Sequence, residues 1–123
     1  MDTAIRYIVE DTTTAVPFYE LLGFEMVASP GPGFAMLRHG ELKLLLNAPG
    51  AGGAGQAAAD GAPPAPGGWN RFQLSVSDLD AEVQRLTARG VRFRSDVVEG
   101  RGGRQVVADD PSGNPVELFE PTG

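Results

Sequence analysis

The chain is written twice, and that repeat constrains its fold more than any other feature. Val9-Glu10-Asp11 recurs 67 positions later as Val76-Ser77-Asp78. About eleven residues of helical character follow each aspartate before a glycine, Gly23 or Gly90, closes the stretch. Val16 and Val83 hold matching places at the same offset. A second phrase recurs in each half, a turn glycine leading into an apolar strand: Gly40-Glu41-Leu42-Lys43-Leu44-Leu45-Leu46 and Gly113-Asn114-Pro115-Val116-Glu117-Leu118-Phe119. One such half cannot bury its own sheet, whereas two halves can share a core and enclose a site.

At 123 residues the chain predicts one domain, long enough for a real core. Its 41% hydrophobic and 21% charged content is ordinary for a globular protein. No apolar run approaches the ~20 residues of a membrane span, and Met1-Asp2-Thr3-Ala4 lacks the basic and then apolar stretch of a signal peptide, so cytoplasmic residence is expected. The absence of cysteine excludes disulfides and thiolate chemistry. A net charge of −6 argues against nucleic acid, whose phosphates need a basic surface. The same charge suits a cationic ligand, or simply solubility.

Ile5 to Val9 reads as a strand with Ile5, Tyr7 and Val9 on one face. Asp11 and the threonines after it offer N-caps for a helix whose apolar positions are Val16, Tyr19 and Leu22. A start near Thr14 would put Pro17 in the first turn, where its missing N–H costs nothing. Strands follow over Phe24 to Ala28, Phe34 to Arg38 and Leu42 to Asn47, with turns at Pro30-Gly31-Pro32-Gly33 and His39-Gly40. In the second half Phe72, Leu74 and Val76 alternate with polar residues, and Leu79, Val83 and Leu86 share a helix face. Val91 to Arg94, Gln105 to Asp109 and Val116 to Glu120 complete it, so each half reads as strand, helix and three strands. Between module 1 (about 3–47) and module 2 (about 69–121) lies a Gly/Ala/Pro segment, 48–68, expected to be a linker, with a lid as the alternative.

Tyr7-Ile8-Val9-Glu10-Asp11, Phe18-Tyr19-Glu20-Leu21-Leu22-Gly23-Phe24, Val76-Ser77-Asp78-Leu79-Asp80 and Asp110-Pro111-Ser112-Gly113-Asn114-Pro115-Val116-Glu117-Leu118 carry a resemblance. With the doubled βαβββ order, they resemble the vicinal oxygen chelate superfamily of glyoxalases, extradiol dioxygenases and bleomycin-resistance proteins. The resemblance implies an α+β fold in which two βαβββ modules form a cupped mixed sheet, and a homodimer. In metal-dependent members, ligands project from four strands. Carried over, those positions are Ala4, Lys43, Arg71 and Glu117, with Lys43 placed by matching Leu42-Lys43-Leu44 to Val116-Glu117-Leu118. Only Glu117 suits a divalent cation, because alanine has no donor and Lys and Arg bring positive charge. The sole histidine, His39, sits at a hairpin turn and is expected at the surface. No metal and no cofactor are therefore expected.

By alternation, Arg6 and Ile8, Lys43, Leu45 and Asn47, Arg71, Gln73 and Ser75, and Glu117 and Phe119 should line the cup. Phe34, Trp69 and Phe93 are candidates for its mouth or, equally, for the core. Glu117 has three readings: an ion pair with Arg71 or Lys43, a general base or acceptor for a ligand amine, or a solvated carboxylate. Gly100-Arg101-Gly102-Gly103-Arg104 can cradle an anion or serve as a turn; its context favours the turn. The leading functional expectation is a metal-independent protein that sequesters an antibiotic-like or natural-product ligand, close in character to the drug-binding members of the family. The alternative is a metal-free lyase, isomerase or cyclase with Glu117 as acid/base and Arg71 or Lys43 holding an oxyanion.

Overall fold

Apolar residues at every second position of residues 5–9, 35–37 and 44–46 demand a sheet with one buried face, and the aspartate-capped helix between them supplies the cover. The computed structural model describes residues 2–122. It divides into two units, Met1–Gly67 and Gly68–Gly123.

The first unit runs β1 (Ile5–Ile8), α1 (Thr12–Leu21), β2 (Glu25–Gly31), β3 (Phe34–His39) and β4 (Leu42–Asn47). Its sheet has the order β1-β4-β3-β2. β1 pairs with β4 in parallel, which the helical crossover permits, and the other pairs are antiparallel. Tyr7, Ala35, Leu37, Leu44 and Leu46 are buried on one face, and Ala15, Phe18 and Tyr19 are the buried residues of α1. Tyr19 is the hub, meeting Tyr7, Phe18 and Phe24 edge-on at centroid distances of 6.5, 4.9 and 5.6 Å.

Asp11 caps α1 by accepting from Thr13 N at 2.8 Å, so the helix starts at Thr12 rather than near Thr14. Pro17 therefore lies inside the helix. It points to solvent, and the buried Phe18 and Tyr19 beside it hold the turn that the lost bond would loosen. The buried stripe runs through Ala15, Phe18, Tyr19 and Leu22, which leaves Val16 at its half-buried margin. His39 is half-buried, its ring 5.1 Å from that of Phe24, and is not the free surface residue its turn position predicts.

Residues 48–56 are not an unstructured linker. Gly50 N donates to Gly55 O at 2.6 Å and Gly55 N to Ala51 O at 3.0 Å, while Gln56 Nε2 donates to Gly52 O at 3.0 Å. Asn47 Nδ2 reaches Ala51 O at 3.3 Å, and Ala48 N bonds Gly33 O at 2.8 Å. Backbone bonding of this kind needs no apolar side chains, which is why composition hid it. Gly33 is required here: a Cβ on it would come within 2.6 Å of Ala51 Cβ.

The second unit runs β5 (Gln73–Ser75), α2 (Leu79–Ala88), β6 (Arg92–Phe93), β7 (Val98–Glu99), β8 (Gly103–Asp109) and β9 (Pro115–Pro121). Its order is β5-β9-β8-β6, with β7 also paired to β8. Four strands rather than three follow the helix, because the strand expected over Val91 to Arg94 ends at bends over 94–96 and a further short strand, β7, pairs with the long β8 beyond them. Leu74, Val106, Ala108, Val116 and Leu118 are buried, as are Leu79 and Leu86 of α2. Asp110 accepts from Ser112 N, Asn114 N and Asn114 Nδ2 at 2.8, 2.8 and 3.0 Å, so the Asp110–Asn114 phrase is a structural turn.

The start of α2 is tied down from several sides. Asp78 accepts from Ala81 N at 3.0 Å and Glu120 of β9 from Leu79 N at 2.8 Å. Arg104 of β8 donates to Asp80 at 3.1 and 2.9 Å. That hydrogen bond, and secondarily the guanidinium charge, hold the Asp80 carboxyl below its usual 3.8. A depressed folded value contributes stability that is present above the unfolded value and lost as pH falls through the folded one. The Tm difference between the wild type and Asp80→Asn is therefore expected to be small but constant near neutrality, and to disappear in the acid limb below 3.8. A difference that persists unchanged at the acid end would show that it does not come from the ionised Asp80 carboxylate.

Candidate functional site

In each unit, the sheet face turned away from the helix carries the polar candidates. In the first unit the register sets Arg6 beside Leu45, Ile8 beside Asn47, and Phe34 and Met36 beside Asn47 and Leu45. Arg6 Nη1 donates to Asn47 Oδ1 at 2.8 Å, and Asn47 is only 2% exposed. Lys43 shares the face, next to Arg38, and its Nζ lies 3.6 Å from Asp2. This face is basic although the chain as a whole is acidic.

In the second unit the register sets Gln73 beside Glu117, Ser75 beside Phe119, and Val107 and Gln105 beside those two β9 residues. Glu117 is 8% exposed. Arg71 Nε and Nη2 approach its Oε1 at 3.0 and 2.9 Å, and Gln73 Nε2 donates to Oε2 at 2.7 Å. Arg71 also donates to Trp69 O at 3.1 Å, so the residues leading into β5 are drawn toward the carboxylate. Arg71 lies before the strand itself, yet its side chain reaches the same face as Gln73 and Glu117. Of the partners open to Glu117, it is Arg71 and not Lys43 that takes it.

Trp69 is 68% exposed, with Arg94 Cζ 4.5 Å from its ring centre. Arg94 itself is fixed by Asp109 at 2.7 Å, Gly68 O at 2.8 Å and Gly113 O at 3.0 Å. Nothing in the sequence singled out Arg94; only the tertiary pairing brings it to Trp69. Phe93 pairs with Ala108 on the helix-facing side and lines a 580 Å³ cavity with Val83, Thr87 and Val106, so it is not a wall of the polar face. Phe34 lies on the polar face of its unit. Gly100 N donates to Gly103 O at 2.8 Å in the turn from β7 to β8, and Arg104 is spent on Asp80 and Glu99, so this loop is a hairpin turn and not an anion cradle.

One backbone bond repeats in the two units and fixes which positions correspond. Val9 N donates to Asn47 O at 2.9 Å, and Val76 N to Phe119 O at 2.8 Å. Asn47 therefore answers to Phe119, and the residue answering to Glu117 is Leu45. Lys43, the match made from Leu42-Lys43-Leu44, is displaced by two residues, a shift that preserves the face and so leaves the leucine alternation unchanged. The positions to be tested for a divalent cation are then Ala4, Leu45, Arg71 and Glu117. They do not fit one: two lack donors, one is a cation, and the carboxylate already accepts from Arg71 and Gln73.

Among the described residues, no helix is long and apolar enough to cross a membrane. No curated protein matches the chain. Solved structures do. A glyoxalase/bleomycin resistance protein/dioxygenase superfamily member from Sphaerobacter thermophilus DSM 20745 is 28% identical, with 98% of this chain and 96% of that one covered at a TM-score of 0.75. TnmS3, an antibiotic binding protein from Streptomyces sp. CB03234, is 26% identical over 99% and 96% of the two chains, with a TM-score of 0.71. Lactoylglutathione lyase from Agrobacterium tumefaciens, at 24% identity, 98% and 92% coverage and a TM-score of 0.73, shares the fold. The family model for the Glyoxalase/Bleomycin resistance protein/Dioxygenase superfamily matches residues 3–118, and the chain belongs to that superfamily.

Proposed function

We propose that this protein binds a small organic molecule, antibiotic-like or a natural product, without a metal, and sequesters it rather than converting it. The observation that carries the reading is the closure of Glu117 by Arg71 and Gln73, with Leu45 in the corresponding place of the first unit. A carboxylate held this way has no partner set with which to ligate a cation. Three of its acceptor positions are already taken by Arg71 and Gln73, which leaves little of the carboxylate open to a substrate proton. The likeness to TnmS3, an antibiotic binding protein, supports the same reading. Polar-face residues are the proposed contacts: Arg6, Lys43, Leu45 and Asn47 in one unit, Arg71, Gln73, Glu117 and Phe119 in the other, with Trp69 offering an exposed ring. A homodimer belongs to the proposal.

The test is metal analysis of the purified protein, with a thermal-shift titration of Zn²⁺, Ni²⁺ and Mn²⁺ on the same sample. The expected result is no stoichiometric metal and no rise in Tm. Stoichiometric metal, or a Tm raised in proportion to the metal added, would overturn the reading.

A further inference from the structure

Among the described residues, five arginines make side-chain hydrogen bonds, and four of them bond a carboxylate: Arg71 and Arg85 through Nε and Nη2, Arg94 through Nε, and Arg104 through Nη1 and Nη2. Their partners are Glu117 for Arg71, Glu82 for Arg85, Asp109 for Arg94 and Asp80 for Arg104. Arg6 is the exception. It bonds through Nη1 alone, to the neutral amide oxygen of Asn47 at 2.8 Å. Its Nε and Nη2, the parallel pair that matches a carboxylate, have no partner among the described residues.

The guanidinium is nonetheless positioned. Asn47 is 2% exposed and donates Nδ2 to Ala51 O at 3.3 Å, so its amide is oriented with Oδ1 toward Arg6. Loop 48–56, closed by its own backbone bonds, supplies that anchor. Around Arg6 the same face presents Ile8, Leu45, Met36 and Phe34, then the cations Lys43 and Arg38. The acids nearby are Asp2, which lies 3.6 Å from Lys43, and Glu25, which is opposite Arg38 in β2. β2 is at the far edge of the sheet from β1, about 14 Å away at the usual strand spacing. An apolar patch with a prepared, unsatisfied fork and further cations beside it is complementary to an amphiphilic anion.

We infer that this face binds an aromatic carboxylate, its carboxylate bidentate on Arg6 Nε and Nη2 and its ring on the apolar patch. The inference rests on the small-molecule reading above and specifies the ligand's charge, opposite in sign to the one the acidic composition suggests. Three neutral-to-charged probes of one shape test it by titration calorimetry: naphthoate, naphthamide and naphthylmethylammonium. Naphthoate should bind about tenfold or more tighter than naphthamide, and the ammonium weakest. Arg6→Gln should remove the preference for the acid, so that naphthoate and naphthamide bind with about equal affinity. Arg6→Lys should retain only part of it, since lysine keeps the charge but not the fork. In the wild type, the Arg6 Nε–H resonance should move with naphthoate and stay in place with naphthamide. If the acid binds no tighter than the amide, or keeps its advantage in Arg6→Gln, the anion inference falls while the small-molecule reading stands. If none of the three probes binds, the anion inference falls, and the metal titration above decides the small-molecule reading separately.

Discussion

Tyr19→Ala is expected to lower the unfolding free energy by about 3–5 kcal/mol, the largest loss from any single side chain of the first unit. Tyr19 is fully buried, and three rings, Tyr7, Phe18 and Phe24, are arranged edge-on around it. Truncation removes the common partner of all three, and rings so arranged cannot close the gap without leaving their rotamers. Tyr19→Phe keeps the ring and should restore most of the stability. Urea unfolding of both variants, compared at unchanged m-value, measures the difference. A loss below about 1 kcal/mol for Tyr19→Ala would mean that the cluster repacks freely.

Glu117→Ala is expected to cost about 2–4 kcal/mol, and the companion change decides why. Removing the carboxylate strands the Arg71 guanidinium and the Gln73 amide on a half-buried face. The cost is below that of a fully buried pair because the Arg71 side chain keeps 25% of its exposure. Replacing both charges, Arg71→Met with Glu117→Leu, should recover most of the loss, since the stranded charge and not the lost attraction is the expensive part. A double-mutant cycle checks this. Additive losses would show that the two residues act independently, and would reopen Glu117 to the catalytic reading.

Much of the fold was legible because it rests on local rules. Asp11 and Asp78 cap helices through their own side chains, a role that needs only the next three residues. Gly23 and Gly90 follow the helix ends at φ 95° and 85°, a conformation that glycine adopts without strain. β4 over Leu42–Asn47 ran as expected, because alternating burial and a turn glycine pointed the same way. The polar face was legible for the same reason, since alternation alone groups Arg6 with Ile8 and Gln73 with Ser75.

What alternation could not supply is which residue stands opposite which. Lys43 and Leu45 share a face, so periodicity cannot choose between them as the counterpart of Glu117. The parallel bonds from Val9 to Asn47 and from Val76 to Phe119 make that choice. In the same way, a period of two cannot say that β8 is long enough to pair with β6, β7 and β9 together, or that Arg94 will end over Trp69. The loop at 48–56 was invisible because its stability lies in backbone bonds and in Asn47, not in a side-chain pattern. The sequence by itself determined the helices, the turns and the side of the sheet each residue faces, because these depend on neighbours a few residues away. Only the tertiary structure decided the partners of Glu117 and Arg6, because strand register is a contact between residues some forty positions apart, and a two-residue slip leaves every local preference satisfied.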